Sequence, residues 1–190
     1  MGVHGAGSSG WLLVALCAAT GAYCLLRMRS SVEEQRRAAG GEALMGFGMA
    51  VMAVPATAFT PPPWAWPAHA AVFAAAGLHA LWAARSGVRH LHHLVGAGAM
   101  VYMAVTMASA APGHAQGHPA GGPGGAGIPL LTGALLVYFA AYVLVAGARL
   151  VPVTAPAGSG PEPGWGDRPE LARACRLSMG LAMVAMLLMM

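Results

Sequence analysis

Six long apolar stretches alternate along the chain with short connections that are polar or rich in Gly and Pro. A helix of about 20 apolar residues is long enough to cross the hydrocarbon core of a bilayer. The pattern therefore predicts an all-α fold, a polytopic membrane protein whose residues 1–190 form a single six-helix transmembrane bundle. The predicted helices cover residues 10–26, 43–59, 64–84, 90–111, 128–150 and 174–190.

The composition supports this prediction and excludes several classes of protein. Hydrophobic residues make up 57% of the 190 residues and charged residues only 8%, which is not the composition of a water-soluble domain. The ten basic residues are all arginine and are spread between the apolar stretches, so no basic patch indicates a nucleic-acid partner. Three cysteines in or beside apolar stretches do not indicate a disulfide framework. The first stretch follows a region without Lys or Arg, so we expect it to be retained and not cleaved as a signal peptide.

Two connections have the composition of flexible loops. Residues 112–127 and 151–170 are rich in Gly and Pro and contain few side chains that a core could bury. The second loop ends in a helix-start signal, with Asp167 as the N-cap, Pro169 in the first turn and Glu170 three residues after the cap.

The arginines lie on only one side of the predicted membrane. They follow the first, third and fifth apolar stretches, and the connections at 60–63 and 112–127 contain none. Because Arg and Lys are enriched in cytoplasmic loops, this distribution predicts a cell-membrane protein with both termini external. The lipid bilayer is then its first partner. The arginines are Arg27, Arg29, Arg36, Arg37, Arg85, Arg89, Arg149, Arg168, Arg173 and Arg176.

The second, fourth and sixth stretches share a pattern of small residues followed by Met-x-x-Met. At about 100° per residue the methionines of each stretch fall on one helix face, and their recurrence predicts three repeated helical hairpins. Such a stripe is typical of adaptable packing between helices, and its thioethers are also ligands for a soft metal such as Cu(I). The stripe residues are Met45, Met49, Met52, Met100, Met103, Met179, Met183 and Met186.

Three histidines lie at similar depth on neighbouring predicted helices. His79 lies six residues before the arginine of the following link, and His93 lies four residues after that link's second arginine. At about 1.5 Å per residue these two histidines are level across a hairpin, with His92 beside them. An ionisable group inside a membrane is costly, so each is either a neutral, hydrogen-bonded histidine or a functional group. Residues at similar depth by the same count are Cys24, Glu42, Met45, Cys175 and Met179.

These residue types support two ligand hypotheses. Histidine, cysteine, methionine and one carboxylate suit copper, although the sequence has no ligand-spaced motif such as C-x-x-C. Two level histidines, His79 and His93, also suit the axial positions of a haem iron. The candidate metal ligands are His79, His92, His93, Glu42 and Cys175, together with the methionines of the three stripes.

Short motifs in three predicted helices support a family assignment. They are GMAVM at 48–52, HH at 92–93 with AMVYM at 99–103, and Cys175 followed by GLAM at 180–183. With these motifs and its six segments, the chain resembles over nearly its whole length a family of actinobacterial multi-pass membrane proteins classed as a domain of unknown function. The resemblance implies a fold and a membrane location, and it implies no activity.

Three functions fit these features. The first is an accessory or scaffold subunit of unknown activity, whose helices pack against a membrane-protein partner or a second copy of the chain. The second is a protein that handles or senses copper through the methionine stripes and the histidines, and the third is a haem-binding membrane protein. The sequence shows no nucleophile with a base, no phosphate loop and no pair of acids, so we do not expect an enzyme.

Overall fold

The computed structural model describes residues 3–30, 33–55, 58–84, 91–110, 128–149 and 168–190. Within these ranges the chain forms six α-helices and no strand, which confirms the all-α prediction. The predicted loop at 112–127 lies outside the described residues, as does 151–167 of the predicted loop 151–170, whose last two residues belong to the sixth helix. The helices are α1 (Val3–Arg27), α2 (Glu33–Met52), α3 (Ala65–Ala84), α4 (Leu91–Ala110), α5 (Pro129–Ala148) and α6 (Pro169–Leu188).

The largest error in the predicted boundaries concerns α2. The apolar pattern predicted residues 43–59, but the helix begins at Glu33 and ends at Met52. Its first turn is polar and is supported by an exposed ion pair between Glu33 and Arg36, three positions apart. The helix stops shortly before Pro55, as expected because the residue before a proline disfavours helical dihedral angles.

The helix-start signal at the other end of the chain is found close to where it was predicted. Helix α6 begins at Pro169 with Glu170 in its first turn, a position where proline is tolerated and an acidic side chain is favoured by the helix dipole. The predicted N-cap, Asp167, lies outside the described residues.

The count of membrane-crossing helices is smaller than predicted. Three described helices are long and apolar enough to cross a bilayer, over Gly10–Arg27, Pro129–Ala148 and Glu170–Leu188, where six were expected. Helix α2 falls short because its first turns are charged, which leaves Ala38–Met52 as its apolar part. Helices α3 and α4 are continuous, but they are rich in Ala and Gly and contain polar histidines, which lowers their hydropathy. These histidines are His69, His79, His92 and His93. The three long apolar helices indicate a membrane protein.

The described residues divide into two compact units. The first unit comprises Met1–Val54 and Leu136–Met186, and the second comprises Pro55–Leu135 and Leu187–Met190. The interpretation of residues 1–190 as a single domain stays a prediction.

In the first unit, α1 packs closely against α2. A Cβ atom added to Gly46 would lie 2.9 Å from the Cα and backbone N atoms of Gly21 and 3.1 Å from the carbonyl oxygen of Cys17. These distances are too short for a side chain, so the two backbones meet at the glycines, as small residues allow in membrane helix pairs.

In the second unit, α3 packs against α4. The predicted pairing of these two helices is found, and residues 85–90, which link them, lie outside the described residues. Here an added Cβ atom at Gly77 would lie 3.4 Å from Cβ of Ala97, which is an ordinary van der Waals contact. The side chain of Phe73 is 2% exposed and its ring lies 4.8 Å from that of His69, centroid to centroid.

Candidate functional site

A carboxylate lies in the apolar part of α2. Glu42 is the single acidic residue of Ala38–Met52, and its side chain is 2% exposed. A buried carboxylate is stable only with charged or hydrogen-bonding partners, so the residues around it determine its role.

Two arginines from different helices supply these partners. Nη1 of Arg27, the last residue of α1, donates a hydrogen bond to Oε2 of Glu42 at 2.5 Å. Nε of Arg176, on α6, donates to Oε1 of the same carboxylate at 2.7 Å. Arg27, Glu42 and Arg176 are called the ion cluster below. The cluster joins α1, α2 and α6, and its three residues all lie in the first unit.

The two arginines differ in exposure. The side chain of Arg27 is 0% exposed, whereas that of Arg176 is 43% exposed. The ion pair of Arg27 with Glu42 therefore lies in a medium of low polarity, while Arg176 is open on one side. Removing one partner from a buried pair is strongly destabilising, but an exposed pair contributes little.

Weaker polar contacts surround the cluster on α1 and α6. The thiol of Cys24 lies 3.7 Å from Oε2 of Glu42, one turn before Arg27. One further turn along α1, Oγ1 of Thr20 lies 3.2 Å from Oγ of Ser178 on α6. These hydroxyls also bond to backbone carbonyl groups of Leu16 and Cys175, four and three residues earlier in their own helices.

The charges of the ion cluster do not cancel. Two guanidinium groups and one carboxylate leave one net positive charge. Moreover, Nε and Nη2 of Arg27 are buried and have no hydrogen-bond partner in the described part of the chain. Buried polar atoms are normally paired, so these two donors require an explanation.

The methionine stripes are largely buried, as the packing interpretation predicts. Met49, Met100 and Met183 are at most 2% exposed. Met103, Met179 and Met186 are also buried, and Met45 and Met52 are half-buried. Burial is equally compatible with packing and with a soft-metal path, so the copper ligands stay a prediction.

The predicted histidines have different environments. His79 is exposed, whereas His92 and His93 are half-buried, with their ring centroids 6.1 Å apart. The haem hypothesis requires His79 and His93 to lie together in the interior. His79 is not buried in this structure, and haem binding stays a prediction. Among the described residues, no three His, Cys, Asp or Glu side chains are grouped so that they could hold a metal ion.

Sequence reasoning missed the two arginines of the ion cluster. It assigned Glu42 to the candidate metal site with Cys175, and it used Arg27 and Arg176 only to orient the chain. In the structure both carboxylate oxygens accept hydrogen bonds from guanidinium groups, and the surrounding charge is positive, which disfavours a metal cation at Glu42. The available signal was the equal depth of one acidic and two basic residues at the same predicted membrane surface.

A comparison with models of protein families assigns the chain to a family. The model of the DUF5134 family, described as a domain of unknown function, matches residues 34–190, which is most of the chain. The chain belongs to this family. The DUF5134 match includes Glu42 and Arg176 and begins after Arg27. No curated protein and no solved structure matches the chain. The prediction of a family of unknown function is confirmed, and the activity of DUF5134 is unknown.

Proposed function

We propose that this DUF5134 protein is a multi-pass scaffold or accessory subunit of the cell membrane, built around the ion cluster. The proposal rests on one observation, which is that the buried carboxylate of Glu42 bonds to arginines of two other helices. Its two oxygens join three helices instead of facing a reactive group. A buried ion pair is weak evidence for stability, but it can specify which helices pack together and in which register.

The proposal includes the topology. All six helices cross the membrane, both termini are external, and the arginine-bearing links are cytoplasmic. Helices α3 and α4 each have 20 residues, so each is about 30 Å long and matches the hydrocarbon thickness, whereas the apolar part of α2 is the shorter Ala38–Met52. The weak hydropathy of these three helices is offset by packing in pairs, such as α3 with α4.

A surface for lipid or a partner is provided by α5. Phe139 is the buried residue of this helix, and Leu130, Val137 and Leu144 are more than 70% exposed. An apolar helix with so little intramolecular contact must lie against lipid, a second copy or another membrane protein. This exposure supports a scaffold or accessory role.

The topology is tested by labelling single cysteines in a variant that lacks Cys17, Cys24 and Cys175. Cysteines introduced at Ser8 and Gln116 should react with an impermeant maleimide in intact cells. Those introduced at Ser31 and Ser159 should react only after the membrane is opened. Labelling of Gln116→Cys only in opened cells would reverse the proposed orientation.

The role is tested by the metal content and visible spectrum of the protein purified in detergent. A scaffold retains no stoichiometric copper and shows no Soret band, and Met49→Leu, Met100→Leu and Met183→Leu leave its cellular function unchanged, since Leu nearly preserves volume. Stoichiometric copper that is lost in stages with these substitutions would replace the scaffold by the copper function. A Soret band that is lost in His93→Ala would replace it by the haem function.

A further inference from the structure

Only part of the guanidinium group of Arg27 is hydrogen-bonded. Nη1 donates to Glu42, while Nε and Nη2 are buried without a partner in the described residues. Leaving a buried donor unpaired costs more than the corresponding hydrogen bond contributes. Two such donors on one fully buried side chain are therefore unexpected in a purely structural ion pair.

The two unsatisfied atoms are neighbours on the guanidinium group. Nε–H and one N–H of Nη2 point in parallel from the same edge, and this edge binds two oxygens of a carboxylate or phosphate group. Lysine has no such fork, so the geometry is specific to arginine. The edge that remains open on Arg27 is thus a bidentate donor for an oxyanion.

The charge of the site fits the same class of ligand. The ion cluster carries one net positive charge, so one bound monoanion would neutralise it. A metal cation would add to an existing excess of positive charge. The electrostatics and the donor geometry therefore both favour an anion.

We propose that the Nε–Nη2 edge of Arg27 binds a phosphate oxyanion, supplied either by a lipid headgroup or by free phosphate. The apolar span of α1 ends at Arg27, which is the depth at which the phosphates of a bilayer lie. Arg176 is bonded to the same carboxylate and is 43% exposed, so the ion cluster is open on that side. This site goes beyond the scaffold role and does not depend on it.

The test uses the full-length protein, purified in an uncharged detergent and unfolded by heat. Free phosphate is titrated against sodium chloride at matched ionic strength, and in a second arm phosphatidylglycerol is titrated against an uncharged glycolipid with the same acyl chains. A ligand that binds only the folded protein raises Tm in a saturable way, whereas exclusion of a salt from the surface does not saturate.

The decisive variant is Arg27→Lys, which keeps the charge opposite Glu42 and loses the fork. The ligand concentration at half-saturation should rise at least about tenfold over that of the wild type, since one charge-assisted hydrogen bond is lost. Arg36→Lys is the matched control, because Arg36 is half exposed, pairs with Glu33 and lies outside the ion cluster. This control should titrate like the wild type.

The two arms distinguish the sources. A saturable shift with inorganic phosphate assigns a free anion, and one with phosphatidylglycerol alone assigns a lipid headgroup. If Arg27→Lys does not fold, the neutral pair Arg27→Gln with Glu42→Gln replaces it, because no unpaired charge is then buried, and it must also lose the shift. The proposal is overturned if neither ligand gives a saturable shift, or if the shift persists when the fork is absent.

Discussion

The two units of this protein use different interactions to hold their helices. In the first unit a buried carboxylate accepts hydrogen bonds from two guanidinium groups, and α1 meets α2 backbone to backbone. In the second unit, α4 and α5 are joined by neutral polar groups. The hydroxyl of Tyr102 on α4 lies 2.7 Å from Oγ1 of Thr132 on α5 and accepts a hydrogen bond from the backbone N–H of Ile128 at 2.7 Å.

This difference has an energetic meaning. Burying an ion pair costs desolvation energy, and the attraction between the charges offsets this cost only in one geometry. Any other arrangement of the helices is therefore disfavoured. Neutral hydrogen bonds between membrane helices contribute about 0.6 kcal/mol on average, and small apolar contacts adapt to shifts. The first unit should therefore be intolerant of single substitutions at its contacts, and the second unit should be tolerant.

The largest effect is expected from Glu42→Gln. This change leaves the guanidinium of Arg27 buried without its counter-charge and should lower the free energy of unfolding by about 3–5 kcal/mol. The measurement is an unfolding titration in mixed micelles with increasing SDS. Arg176→Gln is the matched control and should cost less than about 1 kcal/mol, because this side chain is 43% exposed.

A paired substitution sharpens the same test. Arg27→Met combined with Glu42→Leu removes both buried charges, so it should be much less destabilising than Glu42→Gln alone. Equal stability of Glu42→Gln and the wild type would contradict the comparison, since the first unit would then not depend on its charges.

A smaller effect is expected from glycine substitutions that compare the two helix pairs. In Gly46→Ala the new methyl group would lie 2.9 Å from backbone atoms of Gly21, so α1 and α2 must separate, at a cost of about 1–3 kcal/mol. In Gly77→Ala the methyl group lies 3.4 Å from Cβ of Ala97 and should be accommodated with little change in stability. Thermal unfolding of both variants in detergent measures the difference. Similar losses would show that the two helix crossings are equally tight.

The smallest effect is expected from Tyr102→Phe in the second unit. The change removes the hydroxyl that contacts Thr132 and Ile128 and should cost about 1 kcal/mol or less. Hydrogen exchange at the amide of Ile128 should become faster, while exchange in α1 and α2 should stay unchanged. A loss as large as that of Glu42→Gln would mean that neutral contacts matter as much here as charges do in the first unit.

The sequence predicted the positions of the helices along the chain better than it predicted which helices pack against each other. Hydrophobic runs gave the existence of all six helices, and the equal depth of Glu42 and Cys24 was found in the structure as a 3.7 Å contact. A hydropathy pattern measures position along the membrane normal, so it carries no information on which helix lies beside which. The pattern therefore put Glu42, Arg27 and Arg176 at similar depth but could not show that they pair.

The rotation of a helix is also poorly determined by such a pattern. His79 was assigned the same depth as His93, yet it lies on an exposed face of α3. The helix is rich in alanine, so its apolar residues surround it almost evenly and do not mark a buried face. The burial of Met49 and Met183 was predicted from the recurrence of Met at helical spacing, and Met49 is buried beside small residues of its own helix such as Ala50.

The ion cluster also orders events during biosynthesis. Arg27 and Glu42 are 15 residues apart, so they leave the ribosome together and can enter the membrane as a neutral pair within one helical hairpin. Arg176 follows Glu42 by 134 residues, so the third partner is present only when α6 has been made. A chain that is interrupted before α6 lacks the guanidinium that bonds to Oε1 of Glu42. The arrival of α6 completes the cluster and gives it its positive charge, so this charge depends on all three helices.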